Sequence, residues 1–282
     1  MLKGTTIICI VLISASLLSG CFSSKTSLST VRMDRPEVSE NAYAVRARLG
    51  LAQRNEIILS EFATNLNEPA TLDPQVDDAN ISPFSAIGLT IVPRLEVSLS
   101  GNDDVKISVK YQFSGDSADK ATAGNFSQAV SLGYSRFEDD SPATSSSSSF
   151  IAISNPIDGI YTEFDEAYSQ RTHAIDVAWI LGYRVNSNFL IYGGPYFIHG
   201  DLSGDQTLTI READNADFTN PSIAERVLQL DSNGYMLGAN FALEYQFNVG
   251  FFLSAEASFN SVNWENDSSS QVNIALGLGY QF

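Results

Sequence analysis

The sequence predicts an all-β chain that folds as an antiparallel up-and-down barrel of about ten strands. From residue 43 onwards, apolar side chains alternate with small or polar ones at a period of two, as is typical of strands. The connections between these segments alternate between short and mostly long. After residue 19 the 282-residue chain holds no long uncharged run, so any membrane would have to be crossed by strands.

The last twelve residues, 271–282, give the clearest strand. One face is apolar and carries Val272, Ile274, Leu276, Leu278, Tyr280 and Phe282, while the other face is small or polar. Twelve residues are enough to cross a bilayer at the usual tilt of a barrel strand. Gly277, Tyr280 and Phe282 form a Gly-x-x-aromatic-x-aromatic ending. This ending resembles the C-terminal insertion signal of bacterial outer-membrane β-barrels.

The N-terminus is typical of a secretory signal peptide, with a charged start and a short apolar stretch from Thr5 to Leu18. The stretch closes on Leu-Ser-Gly-Cys, which resembles the bacterial lipobox. That resemblance implies that residues 1–20 are removed and that Cys21 becomes an acylated first residue, anchored by its lipid chains. Cys9 leaves with the signal peptide, so the mature chain would have no free thiol and no disulfide.

Residues 21–42 are polar with little periodicity, and we interpret them as a periplasmic tether before a barrel at residues 43–282. The first barrel segment begins at Tyr43 and allows two readings. A single long strand gives ten strands, with Ile57 in the same phase as Leu51. A hairpin at residues 53–55 gives eleven strands. A twelfth strand would then be needed, because both chain ends are predicted on the periplasmic side and the number of strands must be even. We favour ten strands, and twelve remains the alternative.

Further strands alternate in the same way, and aromatic residues cluster near their ends, as at membrane interfaces. The strands are predicted around residues 87–91, 95–99, 105–113, 126–135, 175–185, 189–199, 235–247 and 251–259. The predicted inner belt comprises Phe113, Tyr183, Phe189, Phe247, Phe251 and Phe282. The predicted outer belt comprises Phe137, Phe197, Tyr235 and Trp264.

Loop lengths and charge predict which rim faces outside. The mostly long connections hold 22 of the 33 acidic residues and three basic ones, Arg171, Arg211 and Arg226. Long loops of such barrels face the exterior and short turns face the periplasm. An acidic outer surface suits lipopolysaccharide bridged by divalent cations, although plain solvation of exposed loops is the favoured explanation. The predicted place is the bacterial outer membrane, with the acidic loops outside.

The alternation also predicts a charged lumen that holds a network of ion pairs. On the assigned phase the inward residues are Arg46, Arg48, Arg94, Glu96, Lys106, Lys110, Asp176, Arg184, Glu244 and Glu256. Side chains nearly fill a barrel of about ten strands, so these charges should pair across the lumen. The expected behaviour is a mostly closed barrel with at most a small, anion-preferring conductance.

Two alternatives belong to other functional classes. A lipid-anchored soluble barrel similar to lipocalins would have the same alternation with its apolar face inward. An enzyme acting on membrane lipids would require a set such as Asp176, His199 and Ser203 at the outer rim, with Asp176 and His199 as cross-strand neighbours. We favour neither, and we expect no catalytic residues, no metal site and no cofactor. No motif for nucleic-acid binding is present.

The chain therefore resembles small bacterial outer-membrane β-barrel proteins of the opacity and OmpA-like type, with a lipoprotein signal that is less usual among them. The resemblance implies outer-membrane lipids and lipopolysaccharide as surroundings. It also implies the barrel-assembly and lipoprotein-sorting machineries as partners. A structural or narrow-pore role is expected first, and a surface-binding or adhesive role second.

Overall fold

The computed structural model describes residues 25–28, 32–60, 73–101, 105–141, 161–213, 222–247, 250–265 and 267–282. Ten antiparallel strands close into one barrel, because β2 pairs with β3 on one edge and with β11 on the other. A short strand, β1 (Lys25–Leu28), also pairs with β2. The barrel strands are β2 (Val45–Ser60), β3 (Asp73–Val92), β4 (Leu95–Gly101), β5 (Val105–Ser114), β6 (Phe126–Ser141), β7 (Tyr161–Arg184), β8 (Phe189–Ala213), β9 (Ser222–Gln246), β10 (Phe251–Trp264) and β11 (Asp267–Gln281). The predicted ten-stranded barrel is confirmed.

The first barrel strand is continuous, so the alternative of a hairpin at residues 53–55 is wrong. β2 pairs with β3 from Val45 to Ser60, with a register shift between Arg54 and Glu56. The ladder satisfies the backbone donors and acceptors without a turn. Beyond this irregularity Ile57 is buried, whereas Leu51 is exposed. The prediction that Ile57 shares the outward phase of Leu51 is therefore wrong.

The outer surface of the barrel is apolar and its interior is polar. In β5, the alternating apolar residues from Val105 to Phe113 are between 42% and 53% exposed. The residues between them, from Lys106 to Gln112, are at most 7% exposed. A soluble barrel would have its apolar face inward, so this alternative is wrong for this fold. No helix in the described part of the chain is long and apolar enough to cross a membrane.

Two residues of the predicted outer aromatic belt lie inside the barrel. Trp264 is fully buried and Phe137 is 8% exposed. The indole Nε1 of Trp264 donates a hydrogen bond to Ser232 Oγ at 2.7 Å, and the ring lies over Gly200 and Gly234. The glycines leave room that any side chain would occupy. The other predicted outer residues, Phe197 and Tyr235, are exposed and stack with a centroid separation of 6.2 Å.

The two ends of the barrel differ. At the short-turn rim, tight connections follow β3, β7 and β9, and the C-terminal Phe282 donates its backbone N–H to Val45 O. At the other end, which we call the long-loop rim, β7, β8 and β9 extend furthest. These strands have 24, 25 and 25 residues. A membrane-crossing strand needs about 10 residues, so all three are longer than a bilayer requires.

Candidate functional site

The lumen of the barrel is occupied by the chain itself. Residues 32–39, which we call the lumen segment, precede β2, and all except Asp34 are buried. The segment forms no strand, so the barrel wall must satisfy its backbone polar groups. The tether prediction placed these residues outside the barrel. The structure corrects this for residues 32–39, because burial and hydrogen bonds fix them inside.

Polar side chains of the wall bind the backbone of the lumen segment. The carboxylate of Glu256 accepts hydrogen bonds from the backbone N–H groups of Arg32, at 2.9 Å, and of Met33. Tyr192 Oη donates to Met33 O at 3.0 Å. The amide oxygen of Gln112 accepts the backbone N–H of Val38 at 2.7 Å. These bonds replace the strand ladder that the segment lacks.

Three buried carboxylates form ion pairs between the lumen segment and the wall. Asp176 lies 2.5 Å from Arg32 Nη1 and 2.8 Å from Lys106 Nζ. Glu244 pairs with Arg35 at 3.4 Å and also with Arg46. The third carboxylate, Glu37, belongs to the segment. Its side chain is fully buried, and it accepts hydrogen bonds from the guanidinium of Arg184, with Nε at 3.0 Å from Oε1.

The ten predicted lumen charges are almost all inside. Lys110 Nζ lies 2.8 Å from Glu96 Oε1, within the wall. Arg48 contacts Met33 O and lies 3.7 Å from Asp34. Arg94 differs, because it occupies the turn after β3 with a φ of 69° and donates its backbone N–H to Ser39 O. Arg94 therefore lies at the short-turn rim, and the prediction that it points into the lumen is wrong.

Several residues of the site were not recognised from the sequence. Arg32, Arg35 and Glu37 sit in a polar stretch without periodicity, so only tertiary contacts reveal their burial. Arg54 is also buried, although the hairpin alternative placed it in a turn. A usable signal was the composition of the tether: residues 32–37 carry four charges of both signs around one proline. Such a segment can complement a charged lumen.

Glycines let the lumen segment approach the wall closely. A Cβ atom built on Gly182 would lie 2.5 Å from Pro36 Cγ. One built on Gly277 would lie 3.1 Å from the sulfur of Met33 and 3.0 Å from Ser254 Oγ. Gly277 was predicted as part of the terminal insertion signal. In the structure its lack of a side chain also makes room for Met33 in the lumen. Tyr280 and Phe282 form an edge-to-face pair at the short-turn rim, with centroids 4.6 Å apart.

A basic cavity remains between the lumen segment and strands β2 to β5. Its volume is about 40 Å³. It is lined by seven basic residues, whereas Asp34 and Glu96 are the acidic residues of its lining. The basic residues are Arg32, Arg35, Arg46, Arg48, Arg54, Lys106 and Lys110. Space of this size suits a few water molecules that hydrate the charges and is far too small for a solute path.

The short-turn rim is closed around the end of the lumen segment. Ser39 Oγ donates to Asp119 at 2.5 Å, and the amide of Gln112 donates to Asp116 O at 2.8 Å. On the surface beside them, Lys120 pairs with Glu40. The hydrogen bond from Lys120 lowers the pKa of the Glu40 carboxyl below its ordinary value. These contacts close the short-turn rim at the point where the lumen segment leaves the barrel, shortly before β2 begins.

The set proposed for a lipid-hydrolysing alternative is not assembled. Asp176 pairs across the strands with Ile198, and His199 pairs with Ile175, one residue out of the predicted register. A shift of one residue puts side chains on opposite faces of a sheet. Asp176 is buried in the lumen, while His199 and Ser203 are exposed outside. Among the described residues, no group of three or more His, Cys, Asp or Glu could hold a metal ion. Cys21 lies outside the described residues.

The fold and the site define a closed ten-stranded antiparallel β-barrel with an apolar exterior and a lumen filled by its own N-terminal segment. No protein-family model matches the sequence, and curated proteins give no significant match.

Solved structures of outer-membrane proteins resemble the chain at low identity. Ail, the attachment invasion locus protein of Yersinia pestis, is 12% identical, with 86% of this chain and 100% of that chain covered and a TM-score of 0.30. The outer membrane protease OmpT of Escherichia coli is 10% identical, with 85% and 97% covered and a TM-score of 0.40. Neisserial surface protein A is 14% identical, with 85% and 97% covered and a TM-score of 0.28. At these identities the roles of those proteins are not carried over to this chain.

Proposed function

We propose that the protein is an outer-membrane β-barrel lipoprotein with a structural role, whose pore is closed by its own lumen segment. The observation that carries this proposal is the burial of residues 32–39 inside the barrel, tied to the wall by ion pairs. The apolar exterior supports insertion into lipid, since a barrel leaves no backbone group unsatisfied there. The acidic long loops then face outside and the short turns face the periplasm.

Ion pairs of this kind favour a closed rather than a conducting state. Removing the lumen segment would leave Arg184 without Glu37, its buried counter-charge. It would also take one of two cationic partners from Asp176, which keeps Lys106, and from Glu244, which keeps Arg46. Leaving one partner of a buried pair alone costs about 3 kcal/mol or more. The complete loss of the pair between Glu37 and Arg184, together with the weaker pairing of Asp176 and Glu244, therefore disfavours spontaneous opening. The resting conductance should therefore be close to zero, and any current should come from rare departures of the segment.

The test is the conductance of the purified protein in a planar bilayer. We expect almost none from the wild type. A variant with residues 29–38 replaced by a Gly-Ser linker of equal length should conduct, with a small preference for anions. Lys106→Gln with Lys110→Gln in that background should reduce the preference. A linker of the same kind at residues 143–152, between the end of β6 and the start of β7, is the matched control and should stay closed. A large steady wild-type current would overturn the proposal.

A surface-binding role is the second candidate, and one observation favours it. An open depression of about 340 Å³ lies on the extended part of β6 to β9. Its charged lining residues are Glu138, Arg171, Asp205 and Asp231. Three acids against one base suit a cationic partner. Asp205→Asn with Asp231→Asn should then weaken retention of the protein on a polylysine surface at low salt. Equal retention would count against this role.

A further inference from the structure

The position of β1 fixes the direction in which the chain passes through the barrel. Lys25 pairs with Ile58 and Leu28 pairs with Asn55, so β1 is antiparallel to the last part of β2. β2 begins at the short-turn rim, where Val45 O accepts the backbone N–H of Phe282, and it ends at Ser60 near the long-loop rim. Lys25 is therefore the part of β1 that lies furthest towards the long-loop rim.

β1 takes an edge of β2 that the barrel strands leave open. β3 pairs with β2 up to Ser60, so that edge is occupied along the whole strand. On the other edge, β11 pairs with β2 from Gln281↔Arg46 to Ala275↔Ala52. β1 pairs at residues 55–58, directly beyond this limit. The N-terminal strand thus sits in the seam between β2 and β11 at the long-loop end.

The contacts of the lumen segment run in the same direction. Ser39 is bound at the short-turn rim, next to Asp119. Glu37 meets Arg184 at the last residue of β7, whereas Arg32 reaches Asp176, eight residues further into the same strand. Going backwards along the sequence from Ser39 to Arg32, the chain therefore climbs from the short-turn rim into the lumen, towards the end of the barrel at which β1 lies.

We propose that the residues before Lys25 emerge on the outside of the cell, so that acyl chains on Cys21 enter the outer leaflet of the membrane. Cys21 is four positions before Lys25, and four residue steps span at most about 14 Å. The thirteen residues from Val45 to Ile58 rise about 30 Å along the barrel axis at the usual tilt. The acylated residue cannot return to the periplasmic rim across that distance.

This assignment replaces a periplasmic anchor by a surface one. It rests on the proposed orientation of the barrel, with short turns in the periplasm. The proposed partner of the acylated residue is the lipid of the outer leaflet, because an acyl chain gains about 0.8 kcal/mol for each CH₂ group that it buries in the membrane. The anchor and the lumen segment then act together: the segment holds the chain inside the barrel, and the anchor fixes its far end outside.

The test uses single cysteines and a membrane-impermeant maleimide on intact cells. Ser24→Cys reports the residue just before β1. Glu265→Cys, in the exposed turn between β10 and β11, marks the long-loop rim, and Ser187→Cys, in the exposed turn after β7, marks the short-turn rim. Glu265 and Ser187 are exposed, and heat-modifiable mobility on gels checks that each variant folds. Signal from the wild-type chain is measured in parallel and subtracted.

We expect Ser24→Cys and Glu265→Cys to label on intact cells, and Ser187→Cys to label only after permeabilisation. If Ser24→Cys follows Ser187→Cys instead, the threading is wrong while the orientation stands. If Ser187→Cys labels on intact cells and Glu265→Cys does not, the orientation in the proposed function is wrong. The two failures are therefore distinguishable.

Discussion

Glu256 illustrates how single side chains hold a segment that has no secondary structure. Its carboxylate receives two consecutive backbone N–H groups, those of Arg32 and Met33. Consecutive amides that converge on one anion form an arrangement known as a nest. Met33 has a φ of 29°, on the positive side that non-glycine residues rarely adopt. The two hydrogen bonds to the Glu256 carboxylate stabilise the backbone in this conformation.

The pair of Glu37 and Arg184 should contribute most clearly to stability. Glu37→Gln leaves a buried guanidinium without its counter-charge, so we expect the folded barrel to lose about 3 kcal/mol. The urea midpoint in lipid vesicles, followed by tryptophan fluorescence, measures this. Glu40→Gln is the control, because its pair with Lys120 is on the surface and should matter little. Adding Arg184→Gln to Glu37→Gln should restore part of the loss.

An unchanged midpoint for Glu37→Gln would mean that Arg184 finds other partners in the lumen. Its Nη1 already donates to Ser187 O at 3.0 Å, which is a single neutral acceptor. This bond alone does not balance a buried charge. We therefore expect the double variant, rather than the single one, to approach the wild type.

At the scale of elements, β11 has two tasks. Its outward face is apolar, and its inward face is small where the lumen segment passes, as at Gly277. Its end also closes the ring, since Gln281 pairs with Arg46 and Phe282 with Val45. The last residues therefore contribute both to the apolar surface and to closure of the barrel, while their role as an insertion signal stays a prediction.

Phe282→Ala should lower the fraction of heat-modifiable barrel in the outer membrane several-fold. Phe282 is 39% exposed and packs on Tyr280, which in turn packs on Phe251 at 4.8 Å. Phe247→Ala is the matched control, because Phe247 is also an exposed aromatic residue near the short-turn rim. Equal yields of the two variants would show that a general aromatic belt, and not the terminal residue, sets assembly.

For the whole molecule, the lumen and the rest of the chain differ in net charge. The described lumen holds eight basic residues: Arg32, Arg35, Arg46, Arg48, Arg54, Lys106, Lys110 and Arg184. It holds six acidic ones: Asp34, Glu37, Glu96, Asp176, Glu244 and Glu256. The net charge of the whole chain is −17, so the negative charge lies outside the lumen. A nearly balanced interior can be packed, whereas the excess charge requires water.

Cys21→Ser should abolish acylation but leave the barrel in the outer membrane. The strands present their own apolar surface, and their backbone groups are paired within the barrel. Membrane fractionation with carbonate washing measures retention, and metabolic labelling with palmitate measures acylation. Release of the variant as a periplasmic protein would show that the lipid, rather than the strands, holds the molecule in the membrane.

The sequence by itself determined the architecture and most of the lumen wall. Strict alternation in strands such as β5 and β11 sets which face meets lipid, and period-two patterns survive folding because they depend only on local backbone geometry. The ten strands and the inward phase of Lys106, Asp176 and Glu244 could be read this way. The same reasoning was insufficient at the register irregularity near Arg54, where ladder pairing with β3 changes the phase.

Only the tertiary structure decided what fills the barrel. Residues 32–39 have no sequence period, because their side chains and backbone are bound by seven different strands (β2, β5 and β7 to β11) and not by their own neighbours in sequence. The same holds for Trp264, whose inward position depends on the space left by Gly200 and Gly234 on other strands. Long-range complementarity of charge and shape is a property of the assembled lumen. It follows from which residues meet, and the local pattern of a polar segment does not contain that information.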